Sequence, residues 1–322
     1  MASPSDLSGK RVLVTGASGF TGRYVIDQLK QRGCMVIGLG NAQAAAPSWA
    51  GGLQSADDMC SADLRDLEGL RKVLQEVRPD IVVHLAALAF VGHGLADDFY
   101  NVNLLGTRNL LQAVDQAALV PDRLLLASSA NVYGNSHQEV LDEASPPSPA
   151  NDYAISKLGM EYVARLWQER LPITIVRPFN YTGRGQAENF LIPKIVSHFI
   201  RRSPMIELGN LDVARDFGDV RAVSAAYLGL LESNEAVGQT VNVCSGIAHS
   251  LQDVIALCSE ITKHSISVSV NPAFVRQNEV KVLRGDSSLL HSMVPGWSSI
   301  PLRDTLGWML SMTSQQSAVS SG

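Results

Sequence analysis

A phenol and an amine on one helical turn are the side chains in this chain best suited to moving a proton. Tyr153 precedes Lys157 by four residues in Asn151-Asp152-Tyr153-Ala154-Ile155-Ser156-Lys157, so a helix places both on one face. A free phenol titrates at about 10, and a neighbouring ammonium favours the phenolate and lowers that value. The pair is then a candidate acid/base for neutral-pH chemistry. An exposed helix with an incidental pair is the alternative, and the surrounding segments decide between them.

Near the N-terminus, an apolar strand over Lys10–Val14 runs into Thr15-Gly16-Ala17-Ser18-Gly19-Phe20-Thr21-Gly22, followed by a helix from Arg23 to about Arg32. Strand, glycine turn and helix in that order are what a dinucleotide fingerprint requires. Gly16 allows the tight turn, Gly19 lets backbone approach a pyrophosphate, and Gly22 lets the helix pack on the strand. The helix N-terminus then faces the phosphates. A second strand, Met35–Gly40, ends in Leu39-Gly40-Asn41. An acid there would accept from the ribose of NAD, and an adjacent Arg would hold the 2′-phosphate of NADP. Neither is present. Asn41 can hydrogen-bond either ribose, so NAD and NADP both remain open.

The stretch from Asn41 to Cys60 reads as loop. In Asp63-Leu64-Arg65-Asp66, one carboxylate can accept from an adenine amino group while another caps a helix over Leu67–Val77. A strand over Asp80–Leu85 ends in His84-Leu85-Ala86-Ala87, where small residues allow backbone to approach a cofactor and His84 reads as core. A long apolar helix over Phe99–Gln116 contains Asn103. Ser128-Ser129-Ala130-Asn131 closes a strand over Arg123–Ala127, at the sheet edge where ligands bind, and Ser129 can share a proton with an oxygen held near Tyr153. A Pro- and Ser-rich loop from Glu139 to Asp152 leads to a helix over Tyr153–Glu169 and a strand over Ile173–Arg177. Pro178-Phe179-Asn180 follows, then an inserted lobe, a helix ending at Leu231, a last strand over Gln239–Val243 and a mixed C-terminal lobe.

The 322 residues, 46% hydrophobic and 18% charged, suit one large α/β domain with an attached lobe, or two modest domains. A net charge of −5 and the absence of basic runs disfavour nucleic acid, and Arg201-Arg202 reads as a helix C-terminal cap. The four cysteines form no close pair, so no metal site is expected and reduced thiols in a cytoplasm are the simpler reading. No apolar run reaches a membrane span and the N-terminus has no signal core. The expectation is a cytoplasmic, soluble protein.

These residues, in this order over roughly 10–310, resemble the extended short-chain dehydrogenase/reductases that act on nucleotide sugars. The resemblance implies a doubly wound parallel Rossmann sheet with a smaller, mixed C-terminal substrate-binding lobe. The sheet domain would take residues 1–180 and about 215–247, the lobe about 181–214 and 248–312, with 313–322 a disordered tail. Ser129, Tyr153 and Lys157 would be catalytic. Gly16, Ser18, Gly19, Phe20, Thr21, Gly22, Asn41, Asp63, Leu64, Ala86, Ala87 and Asn103 would join Tyr153 and Lys157 at the cofactor, NAD or NADP. Gln186–Phe190, Gly209–Phe217 and Arg276–Asp286 resemble the branch containing GDP-mannose 4,6-dehydratase and GDP-4-keto-6-deoxy-D-mannose reductase. That places Asn131, Asn180, Asn189, Lys194, Arg215, Arg276 and Glu279 at a GDP-sugar substrate. For Arg215 and Arg276 the alternative is an ion pair with Asp216 or Asp219. The family often dimerises through the helices matching Phe99–Gln116 and Tyr153–Glu169, which implies a homodimer here.

The dehydratases of the family carry a Glu two residues after the catalytic hydroxyl, where this chain has Asn131, whose amide exchanges no proton at neutral pH. Fucose-type epimerase/reductases carry a Cys directly after that hydroxyl and a partner His; here the position is Ala130, and no His occurs between His137 and His198. What the resemblance leaves is NAD(P)H-dependent reduction of the 4-keto group of GDP-4-keto-6-deoxy-D-mannose to GDP-D-rhamnose. A 4-epimerase recycling tightly held NAD is the alternative, and a non-catalytic NAD(P)-sensing protein a third reading.

Overall fold

The computed structural model describes residues 6–40, 52–89, 95–136, 138–274 and 280–311. Apolar runs become strands buried on both faces. β1 (Arg11–Thr15) sends Val12 and Val14 into one core and Leu13 into another, because successive side chains of a strand point oppositely. After α1 (Phe20–Gln31), β2 (Met35–Leu39) pairs in parallel with β1. β3 (Asp58–Cys60) extends that edge, although its residues were expected to be loop. Pairing with Ile37–Leu39 supplies what its short, exposed sequence lacks. Asp66 caps α2 (Leu67–Val77), accepting from the Gly69 amide at 3.0 Å, and β4 (Ile81–His84) pairs with the other side of β1.

The single helix expected over 99–116 is three pieces: α3 (Ala96–Phe99), a wider π turn over Tyr100–Leu105, and α4 (Gly106–Gln116). The widened turn carries Asn103, which is fully buried. β5 (Arg123–Ala127) has the expected bounds. α5 (Asp152–Arg165) starts at Asn151, whose side chain accepts from the Ala154 amide at 2.9 Å, and gives way to turns before Glu169.

Next come β6 (Ile173–Pro178), β7 (Asn180–Thr182), α6 (Leu191–Ile200) with Arg201 at its C-cap, β8 (Met205–Leu208), β9 (Ala214–Asp219), α7 (Val220–Glu232) and β10 (Thr240–Val243). The chain closes with β11 (Ala248–Ser250), α8 (Leu251–Thr262), β12 (Ser267–Val270), β13 (Val282–Leu283), α9 (Ser288–Met293) and α10 (Leu302–Leu310).

Among the described residues, seven parallel strands form one sheet in the order β10-β6-β5-β4-β1-β2-β3. The chain runs outward from β1 through β2, then crosses to β4 on the other side, so the crevice beyond β1 and β4 is the switch point where such sheets bind ligands. α1, α7 and α9 cover the face bearing Val12 and Val14; α2, α4 and α5 cover the other. A third core joins α6, α8 and α10 through Phe199, Val254 and Leu306. β9 pairs with β7, β11 and β13, and so brings the stretch after β6 beside the C-terminal segments. No helix among the described residues is long and apolar enough to cross a membrane.

Candidate active site

The turn after β1 has glycines at Gly16 and Gly22 because neither position has room for a side chain. Gly16 has φ +69°, and a Cβ there would lie 2.8 Å from the Ala86 amide nitrogen. A Cβ on Gly22 would lie 2.3 Å from the Gly16 carbonyl oxygen, so only glycine lets α1 pack this closely. Gly19 is the N-cap of α1, and the first turn has neither a capping side chain nor an acid. A helix N-terminus of this kind, opening through Phe20, Thr21 and Gly22 into a cavity, fits the pyrophosphate of a dinucleotide. Ala86 and Ala87 line the same cavity from the end of β4.

Two buried residues brace the backbone beside the cavity. His84 is buried, with Nδ1 2.7 Å from Thr15 Oγ1 and Nε2 2.9 Å from Thr107 Oγ1. Burial, and then the Lys157 charge, push its imidazole down to about 3, so it stays neutral, in keeping with a core residue. Asn103, expected at the cofactor, uses its amide within the protein. Its Oδ1 accepts from the Leu88 amide at 2.9 Å, and its Nδ2 donates to Leu88 O and Ser156 Oγ, each at 3.1 Å. It shapes the backbone after β4 that walls the cavity.

Tyr153, Lys157 and Ser129 converge on this cavity, which measures about 460 Å³. Tyr153 is buried, its ring meeting the Phe99 ring edge-on at 6.0 Å. Burial pushes the phenol up to about 12, against the downward pull of the Ser129 hydroxyl. The expectation that Lys157 would bring this phenol below its ordinary value is therefore corrected: desolvation wins. Lys157 Nζ donates to Ala127 O at 2.7 Å, and burial lowers its ammonium to about 8, opposed by Glu161 one turn further along α5. Near neutral pH the site thus holds a protonated phenol and a protonated amine, a proton donor beside a cation.

Sequence reasoning missed the polar network behind Lys157. Glu161 is fully buried and takes Arg177 Nε at 2.9 Å and Nη2 at 2.6 Å, while the Ser128 hydroxyl donates to it at 2.5 Å. Arg177 Nη1 continues to Tyr133 Oη at 2.9 Å, and Tyr133 donates to Asn242 Oδ1 at 2.7 Å. The spacing Lys157–Glu161 was the available signal.

On the substrate side, Asn131 and Asn180 line the cavity as expected, joined by Phe179, Tyr181, Gln186, Phe190 and Leu283, which were not singled out as site residues. Tyr181 Oη lies 2.7 Å from Thr21 Oγ1 and so ties β7 to the glycine turn. Ser18 and Asp63 are not in the lining. Ser18 O accepts from Arg23 Nε, and Asp63, held down to about 2 by Arg65, is exposed. Leu64 is buried in the core between α2 and the sheet.

Asn189 is exposed outside the lining, and Lys194 donates to Glu207 O at 2.7 Å with its amine 4.2 Å above the Phe274 ring. Arg215 is buried and donates to Ala214 O (2.9 Å) and Lys281 O (3.2 Å). Of the carboxylates considered for it, Asp219 holds Arg221 at 2.6 Å and Asp216 accepts from Ser245 and Gly246. Asn41, Arg276 and Glu279 lie outside the described residues.

Residues 13–300 match the family model for GDP-mannose 4,6 dehydratase. The chain belongs to the GDP-mannose 4,6-dehydratase family. Within it, the chain is 35% identical over 280 residues to the GDP-6-deoxy-D-talose 4-dehydrogenase of Aggregatibacter actinomycetemcomitans, covering 87% of this chain and 90% of that one. It is 34% identical over 319 residues to the GDP-6-deoxy-D-mannose reductase of Pseudomonas aeruginosa, covering 96% and 94%. This family member is an oxidoreductase of the extended short-chain type.

Among solved structures, a Burkholderia cenocepacia J2315 protein provisionally named an epimerase superposes with a TM-score of 0.87 at 48% identity, covering 95% of this chain and 99% of that one. RMD from Pseudomonas aeruginosa, complexed with NADPH, superposes with a TM-score of 0.77 at 30% identity, covering 94% and 97%.

Proposed function

We propose that this protein reduces the 4-keto group of GDP-4-keto-6-deoxy-D-mannose to give GDP-D-rhamnose, using NADH or NADPH. One observation carries the choice of reaction: among the described residues lining the cavity, only Tyr153, Tyr181 and Lys157 titrate. No carboxylate, thiol or imidazole is there to abstract a proton at carbon 3 or 5, so the side chains suit hydride transfer at one carbon. NADH or NADPH, held by the glycine turn of Gly16, Gly19 and Gly22, would supply the hydride. Tyr153 donates its proton to the oxygen at carbon 4. Ser129 orients that oxygen, and the Lys157 ammonium stabilises the charge growing on it while binding the nicotinamide ribose. Asn131 and Asn180 hydrogen-bond the sugar. The two GDP-6-deoxyhexose relatives support the substrate class, and the glycine cradle supports the cofactor.

A second reading keeps the reaction and inverts the product. The 35% identical relative is named for 6-deoxy-talose, which differs from rhamnose at carbon 4. One panel tests both: GDP-4-keto-6-deoxy-mannose and UDP-hexoses, each with NADH and NADPH, and the product read by proton NMR. Oxidation of the reduced cofactor with the GDP-ketosugar alone, and the large H3–H4 and H4–H5 couplings of rhamnose, is the expected result. Small couplings at H4 would assign the talose product. Redox-neutral conversion of a UDP-hexose by protein carrying its own NAD would favour the 4-epimerase. We also propose that two copies associate through the helical segments over 99–116 and 153–169, where Leu105, Ile155, Tyr162 and Leu166 are exposed.

A further inference from the structure

β5, β6 and α5 meet at one buried corner behind the cavity. Just past β5, the Ser128 amide donates to Val176 O of β6 at 2.8 Å, and the Ser128 hydroxyl donates to Glu161 of α5 at 2.5 Å. Arg177, the next residue of β6, closes the ring by donating to both oxygens of the Glu161 carboxylate, at 2.9 and 2.6 Å. Ser128, Glu161 and Arg177 are all buried. Each of them adjoins a residue of the site. Ser128 stands between Ala127, whose carbonyl takes the Lys157 ammonium at 2.7 Å, and Ser129. It borders the cavity itself but directs its hydroxyl to Glu161. Glu161 follows Lys157 by one turn of α5, and Arg177 precedes the lining residues Pro178, Phe179 and Asn180. Stability alone does not call for such a corner. A buried ion pair often gives way to apolar side chains of similar volume without loss of stability, because desolvating two charges offsets their attraction. Apolar contacts lack direction, whereas a fork of charged hydrogen bonds has it.

We propose that Ser128, Glu161 and Arg177 are positioning residues: their ring fixes the end of β5 against α5, and so sets Ser129 and Lys157 within reach of one substrate oxygen. The proposal rests on the reductase reading above and adds residues that govern its rate without touching the sugar. Reaction rates fall steeply when reacting groups are held out of line, by on the order of 100-fold for a shift of about 1 Å. The local sequence does not show the ring, because its three members lie on three separate elements.

The test separates rate from binding and stability. Ser128→Ala removes one hydroxyl and leaves the ion pair whole. With GDP-4-keto-6-deoxy-mannose and reduced dinucleotide, its kcat should fall ~10- to 100-fold. The KM values, the dinucleotide affinity read by cofactor fluorescence and the melting temperature should stay as in the wild type. A second variant, Glu161→Leu/Arg177→Met, exchanges the pair for apolar side chains. It should melt no lower than the wild type while losing kcat at least as heavily, with rates taken on the flat acid side of the pH profile. Wild-type kcat in Ser128→Ala, or in a stable double variant, overturns the proposal. So does a Ser128→Ala protein whose kcat falls only in step with its melting temperature and dinucleotide affinity, which would make the corner a brace for the fold. A wild-type protein that turns over no ketosugar with either dinucleotide overturns the reductase reading itself, and this proposal with it.

Discussion

At the scale of single residues, the chemistry rests on the protonation states that burial imposes. Tyr153 is pushed up to about 12, so it enters the reaction as an acid at every physiological pH. Replacing it by Phe removes the proton donor with little change in packed volume. The expected result is a loss of about 100- to 10,000-fold in kcat with an unchanged circular dichroism spectrum, measured by cofactor oxidation.

Lys157 sets the pH limb. Burial lowers its ammonium from the ordinary lysine value to about 8, and the cation is the useful form. As pH rises through that value the amine loses its proton and its charge. kcat/KM should therefore be flat below about pH 7 and fall on the alkaline side with a midpoint near 8, a lower limb than an exposed lysine would give. A pH–rate profile without an alkaline fall below pH 10 would contradict this role.

At the scale of elements, the site depends on how the π turn, β4 and α5 lock together. Asn103 is the joint, with its amide committed to Leu88 and Ser156. Asn103→Leu keeps the size and deletes those bonds, leaving the Leu88 amide and carbonyl short of partners. Urea unfolding should show a loss of about 1–3 kcal/mol. Because Leu88 follows the lining residues Ala86 and Ala87, the KM for the dinucleotide should rise as well. A variant with unaltered stability and KM would show that the joint is dispensable. The ion pair of Glu161 and Arg177 does a similar job between α5 and β6, holding a carboxylate behind Lys157 where its field favours the cation.

At the scale of the whole molecule, the cavity is a seam between the parallel sheet and the segments that follow β6. Its floor comes from the turns after β1, β4 and β5 and from α5, and its far wall from Asn180, Gln186, Phe190 and Leu283. Tyr181 crosses the seam to Thr21. The exposed apolar side chains of α5 and its C-cap, Ile155, Tyr162 and Leu166, lie on the outside, away from the sheet core. If two copies meet there, sedimentation should give twice the mass of the 34.6 kDa chain. The Leu166→Glu/Tyr162→Glu variant, placing desolvated charges in that contact, should then sediment as a monomer. A wild-type monomer at micromolar concentration would remove the pairing.

What the amino-acid order determined by itself was whatever is encoded locally. Buried strands announce themselves as apolar runs, the glycine turn as three glycines at fixed spacing, and Tyr153 with Lys157 as one helical face. The fold class, most element bounds and the residues that would meet in one cavity, Ser129, Tyr153 and Lys157, were therefore legible. Only the tertiary structure decided the rest, since desolvation and contact between distant segments have no local signature. Burial reversed the shift expected for Tyr153. The tertiary packing bound Asn103 to Leu88 and Ser156, recruited β3 by pairing, and set Arg177 of β6 against Glu161 of α5.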